Sequence, residues 1–133
     1  MADTVTSQTI QDGEKTAILK FTNESDGSGE ASVKKVDVSA LASNSAGDAC
    51  SSVSISRIYW ACRGMGVDIE FDASTNVLAI PLPADSTGDE YYDLFTGIPN
   101  NAGSGVTGDI DFTTVGHSNG DAYSIILVLT KNY

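Results

Sequence analysis

The alternation of apolar and polar residues constrains the fold of this chain more than any other feature. In GVDIEFDA, residues 66–73, Val67, Ile69 and Phe71 point to one side of an extended backbone, while Asp68 and Glu70 point to the other. A period of two residues indicates a β-strand with one buried face and one wet face. We therefore predict an amphipathic strand in this segment.

Further segments repeat the pattern, and one of them differs in being apolar on both faces. That segment is YSIILVLTK, which predicts a central strand covered on both sides. No segment of helical length has amphipathic spacing, and only KVDVSALASNS predicts a short helical turn. The remaining predicted strands are TAILKFT (16–22), SVSISRIYWACR (52–63), NVLAIPLP (76–83) and GDIDFTTVG (108–116).

The longest of these, residues 52–63, predicts two faces by simple alternation. One face would carry Val53, Ile55, Arg57 and Tyr59, and the other Ser56, Ile58, Trp60 and Cys62.

The strands are separated by loops rich in Gly, Ser, Asn and Asp, which are typical of tight turns. We predict an all-β fold: a single compact antiparallel β-sandwich, or a jelly-roll-like barrel, of about eight short strands. Residues 1–133 have the length of one domain. Within them, the polar residues 1–14 are expected to form an extended N-terminal arm that orders on contact.

Charge and cysteine content exclude several classes of function. The chain has 18 Asp and Glu residues against 7 Lys and Arg, a net charge of −11. This balance argues against nucleic acids and anionic membranes as partners. The sequence shows neither a bilayer-spanning apolar segment nor a signal peptide, so we expect the protein to stay where it is made. Cys50 and Cys62 are expected to be a reduced pair, with Cys62 buried.

His117 is the one histidine, and Ser118 and Asp121 beside it suggest a catalytic triad at first sight. However, triad members come from different elements, and the sequence contains no G-x-S-x-G elbow. The Asn-Gly pair in SNGD is instead a strong turn signal between two strand patterns. We predict a hairpin turn here and no catalytic residue.

Metal sites are likewise not predicted. Two cysteines and one histidine lack the ligand number of a zinc site. ESDGSGE, residues 24–30, lacks the spacing of a calcium loop and is interpreted as a solvated acidic turn. Asp109 and Asp111 share a face, where they would either hold a cation or belong to a wet sheet face. We predict no cofactor and no metal.

Three aromatic residues, Tyr91, Tyr92 and Phe95, follow an acidic run. Exposed aromatic side chains often anchor interfaces, although these three could equally close one end of the sandwich.

Three stretches of the chain resemble a known family. KVDVSAL, SISRIYWACRGMGVDIEFDA and GIPNNAGSGVTGDIDFTTVGHSNGDAYSIILVLTK are similar to small virion structural proteins of tailed bacteriophages, especially marine and cyanobacterial ones. The resemblance covers residues 16–131. The chain departs from the family pattern in PADSTGDEYYD and NSAGDACSS, which leaves open its position on the virion.

The resemblance implies a non-enzymatic capsid decoration or cement protein. It would be made in the host cytoplasm, bind the major capsid protein on the head surface and form a homo-oligomer, with a trimer favoured. Thr4 and Val5 of the arm, together with Tyr91, Tyr92 and Phe95, are the expected contacts. The alternatives are a tail, baseplate or fibre module that binds a host glycan, with or without calcium, and a small glycan-degrading enzyme.

Overall fold

A computed structural model describes residues 3–91 and 97–133, and its regular structure is almost entirely β. A short 3-10 helix, Val38–Ala40, confirms the helical turn expected in KVDVSALASNS. The strands are β1 (Thr4–Asp12), β2 (Thr16–Glu24), β3 (Val33–Val36), β4 (Ser52–Arg63), β5 (Gly66–Phe71), β6 (Val77–Leu82), β7 (Thr87–Tyr91), β8 (Ile110–Val115) and β9 (Ala122–Asn132).

These strands form two antiparallel sheets. The five-stranded sheet has the order β1-β2-β9-β4-β7, and the four-stranded sheet has the order β3-β8-β5-β6. The predicted β-sandwich is thereby confirmed, and the described strands form a sandwich rather than a closed barrel. The described part of the chain has no helix long and apolar enough to cross a membrane.

The core lies between the two sheets and is built from the apolar positions of the alternating segments. Val67, Ile69 and Phe71 are fully buried, as the alternation predicts. Phe112 links the two layers, because its ring meets Phe21 edge-on at 5.3 Å and Tyr123 at 5.8 Å between ring centroids. Each such side chain contributes roughly 1.5–3 kcal/mol by leaving water.

The predicted faces of β4 are wrong beyond Ile55 because the strand contains a β-bulge. Ile55 pairs with Leu129, but Arg57 pairs with the next residue of β9, Val128, so Ser56 is an extra residue. Since strand side chains alternate, one extra residue exchanges the two faces. Ile58 therefore joins Ile55 in the core, whereas Arg57 turns outward.

The position of β9 agrees with the prediction only in part. It is the central strand of the five-stranded sheet, flanked by β2 and β4, and its inner residues are buried. On the outer face, however, Ile126 and Val128 stay partly exposed. The expectation of cover on both sides is thus wrong, because the second sheet packs against one face only.

The segment GHSNGD forms a turn, but the turn does not close a hairpin. The Asp121 N–H donates to the Ser118 carbonyl oxygen (3.0 Å), and Gly120 adopts a φ of 91°. The strands on either side lie in different sheets: β8 pairs with β3 and β5, and β9 pairs with β2 and β4. The turn is therefore an arch across the sandwich, and the predicted hairpin is wrong.

Most of the polar segment at residues 1–14 is ordered within the sheet. Residues 4–12 form β1, which pairs with β2 along its length with one register shift between Thr9 and Gln11. Residues 4–11 are nevertheless all exposed, and Ser7 and Thr9 border an open groove together with Lys35 and Leu41. β1 is an edge strand that contributes little to the core.

Ion pairs occupy the two ends of the buried face of β9. At one end Lys131, with a fully buried side chain, contacts Asp12 and donates to the Ala42 carbonyl oxygen (3.1 Å). At the other end Glu30 pairs with Lys35, and both side chains are 6% exposed. Removing Asp12, or either member of the Glu30–Lys35 pair, would leave an unpaired buried charge, which destabilises the folded state.

Candidate functional site

Two aromatic rings and a guanidinium group form an organised cluster on the outer face of the five-stranded sheet. The register of β4 and β7 sets Arg57 opposite Tyr91, and Tyr59 opposite Asp89. The Arg57 guanidinium lies 4.7 Å from the Tyr59 ring centroid and 5.2 Å from that of Tyr91. We call Arg57, Tyr59, Asp89 and Tyr91 the β4–β7 surface cluster.

A bidentate ion pair fixes the guanidinium between the rings. Arg57 Nε donates to Asp89 Oδ1 (3.0 Å), and Nη2 donates to Oδ2 (2.8 Å). These hydrogen bonds lower the pKa of Asp89 and raise that of Arg57. Fork-like pairs of this kind restrict geometry as well as adding attraction, so the cluster is organised before any partner arrives.

Trp60 lies on the face of β4 opposite the cluster and packs against β7. Its ring packs against Gly88, where a Cβ atom would clash with it, and its Nε1–H donates to Ser86 Oγ (3.0 Å). These Trp60 contacts hold the edge strand β7 against β4.

Beside the cluster lies a shallow groove of about 480 Å³, bordered by Asp89 and Ile126 among others.

Exposure and composition make this cluster suitable for binding. Tyr91 is 60% exposed, and the Arg57 side chain is 35% exposed. Tyr, Trp and Arg dominate the energy of protein interfaces, because they present large contact areas with few flexible bonds. The exposed Tyr91 ring can stack on an incoming surface, and the guanidinium N–H groups that do not bond Asp89 can donate to it.

The structure locates only part of the predicted contact set here. Tyr91 belongs to the cluster, whereas Tyr92 and Phe95 lie outside the described residues. Thr4 and Val5 lie in β1, at the opposite edge of the same sheet. Four strand spacings of about 4.8 Å separate the two edges by roughly 19 Å, so the two predicted regions are not brought together.

Arg57, Tyr59 and Asp89 were not predicted as contact residues. Their signal in the sequence is weak: two residues with large side chains alternate on one face of a strand, and an acidic residue lies in a distant segment. Only the β4–β7 register brings them together.

His117 is a structural contact on the arch between the sheets. Its Nδ1 lies 3.1 Å from Thr114 Oγ1, and its ring packs against Gly29, which adopts a φ of 73°. Ser118 donates its N–H to Asp121 Oδ2 (2.8 Å), so this carboxylate stabilises the turn.

Asp109 and Asp111 are both buried, so the wet-face interpretation is wrong. Asp109 accepts from the Val38 N–H (2.9 Å) and pairs with Lys34 (2.9 Å). Asp111, 2% exposed, accepts from Asn76 Nδ2 (2.9 Å) at one oxygen, and its Oδ1 has no hydrogen-bond partner among the described residues.

The carboxyl group of Asp72 faces Asp111. Burial raises the pKa of Asp111 to about 6, and its contact with the Asp72 carboxyl contributes further to the rise. Asp72 has a lowered pKa, chiefly because Thr107 donates a hydrogen bond to it (2.6 Å). Asp111 is therefore the member of the pair that keeps its proton to the higher pH, up to about pH 6.

The acidic turn ESDGSGE is only partly solvated, because Glu30 is buried. Its Oε1 accepts from the Tyr123 hydroxyl (2.6 Å) and from Asn23 Nδ2 (2.8 Å), and its other oxygen pairs with Lys35. Burial and the Glu30 carboxylate raise the pKa of Tyr123. Glu30 thus fixes the loop to the end of the core, contrary to the prediction for this residue.

The remaining candidates concern the cysteines and metals. Cys50 and Cys62 are both free and Cys62 is buried, as expected. Cys50 is buried as well, and burial raises the pKa of each thiol. Within residues 3–91 and 97–133, no group of three or more His, Cys, Asp or Glu side chains is arranged to hold a metal ion.

Fold and site together define an antiparallel two-sheet β-sandwich with an organised Tyr-Arg surface cluster at one sheet edge. Comparison with models of known protein families and with curated proteins finds no match.

Proposed function

We propose that this protein is a non-enzymatic structural component of a bacteriophage virion: a capsid decoration protein that binds the major capsid protein lattice on the head. The exposed β4–β7 surface cluster supports a role in binding, and the family resemblance of the sequence supports the virion setting. The protein would be made in the host cytoplasm and would act as a homo-oligomer.

The mechanism is stabilisation by binding. A ligand that binds the assembled shell and not its separated subunits stabilises the shell by RT ln(1 + [L]/Kd), about 2.7 kcal/mol at a concentration of one hundred times Kd. Because a lattice presents many identical sites, this contribution is repeated over the shell. The sandwich supplies a rigid support, and the cluster supplies the anchor.

The decisive experiment measures binding to shells that lack the protein. Wild-type protein should bind these shells and raise their melting temperature. Tyr91→Ala should weaken binding about 30-fold or more, since truncating a central interface anchor typically costs 2 kcal/mol or more.

The matched control is Leu78→Ala, which removes an exposed apolar side chain (50% exposed) from the other sheet. It should bind like wild type. If wild-type protein does not bind and does not protect the shells, the proposal is wrong. Equal losses in both variants would exclude the cluster as the contact.

The cluster also favours a second candidate, a glycan-binding module of the tail, baseplate or fibre. Sugars commonly stack on an exposed aromatic ring while nearby polar groups bond their hydroxyls, and Tyr91 lies on the same face of β7 as Asp89, which borders the groove. A glycan array probed with and without calcium tests this function. Glycan binding that is lost in Tyr91→Ala, together with no binding to shells, would favour it over decoration.

A further inference from the structure

The four outer edges of the two sheets differ in their protection against pairing with another strand. β3 is a four-residue strand that carries Lys34 and Lys35, β6 contains Pro81, and β7 is a five-residue strand that carries Asp89 and Glu90. Short length, charge and proline are the features by which natural sheets prevent edge-to-edge pairing. Three of the four edges are therefore protected.

The fourth edge, β1, lacks these protections over most of its length. It has nine residues, and residues 4–11 contain neither a charged side chain nor a proline. They are all exposed, including Val5 (46%) and Ile10 (50%). In the described part of the chain, no strand lies beside the outer edge of β1. Its backbone groups on that side are free to form a second ladder.

The length available for pairing is limited by one irregularity. The register shift between Thr9 and Gln11 disrupts the ladder near Ile10, so regular pairing extends over residues 4–9. That span matches the usual strand length of about five to six residues. It also has high β-propensity, because Thr4, Val5, Thr6 and Thr9 are β-branched.

We propose that β1 is a self-association edge, through which two copies of this chain pair antiparallel about a two-fold axis and join their five-stranded sheets. Charge makes β1 the edge at which a second copy can approach. The chain carries a net charge of −11, so copies repel one another at most surfaces. Residues 4–11 are neutral and meet themselves without opposing like charges, whereas a β7 pair would oppose Asp89 and Glu90.

The two-fold geometry also suits the side chains. An axis perpendicular to the sheet keeps inner residues opposite inner residues. With the axis at Ser7, Val5 of one copy lies opposite Thr9 of the other, and Thr6 lies opposite Gln8. Cross-strand pairs of β-branched residues are favourable in sheets.

This inference does not depend on capsid binding. The pairing edge lies at the opposite side of the sheet from Tyr91, so a dimer would leave the β4–β7 surface cluster accessible. The two-fold pair predicts a dimer, in contrast to the trimer that the family resemblance favours.

The test is sedimentation of the purified full chain over a range of concentrations, without shells, so that its outcome is independent of the proposed function. Wild-type protein should form a dimer with a measurable Kd. Ser7→Lys should weaken the dimer at least ten-fold, because it sets two ammonium groups against each other at the axis. The control, Thr87→Lys on β7, makes the same change in net charge at the opposite edge and should leave Kd unchanged.

A second variant tests the contact without weakening it. Ser7→Cys, treated with a short bifunctional maleimide, should give a covalent dimer, whereas Thr87→Cys should not, since Cys50 and Cys62 are buried in both. A wild-type protein that stays monomeric would overturn the proposal. An oligomer equally sensitive to both lysine variants, or a trimer insensitive to Ser7→Lys, would overturn it too.

Discussion

Replacing Asp111 by asparagine should stabilise the protein at neutral pH. Asp111 is 2% exposed, faces the Asp72 carboxyl, and leaves Oδ1 without a hydrogen-bond partner among the described residues. An ionised carboxylate in this place is unfavourable. Asparagine has nearly the same shape, can still accept from Asn76, and can donate its own N–H to Asp72 without carrying a charge.

The magnitude follows from the raised pKa of Asp111. Its rise from the ordinary aspartate value of 3.8 to about 6 means that between these pH values the folded state holds a proton that the unfolded chain has released. Stability therefore falls as pH increases through this window, and the full penalty is present above pH 6. At about 1.4 kcal/mol per pKa unit, the penalty is on the order of 3 kcal/mol.

Urea unfolding at pH values from 4 to 8, followed by tryptophan fluorescence, measures the effect. Asp111→Asn should resemble wild type near pH 4 and gain up to about 3 kcal/mol in free energy of unfolding by pH 8. Asp68→Asn removes one negative charge from the same face of β5 and β8, and its effect is subtracted as the general consequence of charge removal. A corrected difference that does not change with pH would refute the reasoning.

Three further expectations concern contacts in the core and at the arch. Tyr123→Phe should cost about 1–3 kcal/mol, measured by urea unfolding, because it removes a hydrogen bond to the buried Glu30 carboxylate; no loss would mean that this bond is not formed. Gly29→Ala should lower the melting temperature more than Gly47→Ala, since both have positive φ but only Gly29 packs against the His117 ring; equal losses would exclude that packing. Both cysteine thiols should react slowly with a maleimide in the folded protein and rapidly in urea, because burial raises their pKa and blocks access; rapid labelling of the folded protein would contradict their burial.

Alternation was sufficient to predict the strands that bury one face. β2, β5 and β8 lie where the pattern places them, because each contributes one face to the core. β4 shows the limit of the method. Its apolar residues change from odd to even positions at Ser56, so the signal for a bulge is present, but a strict period of two does not allow for an inserted residue.

Long-range pairing was not predictable in the same way. The Asn-Gly pair correctly indicates a turn after β8, but the turn chemistry is local and does not specify which strands pair. The burial of Asp111, Glu30 and Lys131 likewise depends on contacts between segments that are distant in the sequence. A charge is buried where a partner from a distant segment meets it, and Asp111, the exception, carries a raised pKa as a result.

The candidate site was predicted to the extent that one exposed aromatic residue reveals it. Tyr91 is predicted because it belongs to a group of aromatic residues that follows an acidic run. Arg57 and Tyr59 required the β4–β7 register, which places them beside it. Sequence spacing alone cannot supply that register, because β4 and β7 are separated by two strands of the other sheet.

The packing of Trp60 against Gly88 gives the protein an intrinsic fluorescent probe of β7. Trp60 is the single tryptophan in the chain; its indole ring packs against Gly88 of β7, and its Nε1–H donates to Ser86, the residue before β7. Detachment of β7 would expose the indole to water and move its emission to longer wavelength. Native fluorescence thus reports whether β7, the strand that carries Tyr91, stays packed against β4, without attaching a dye.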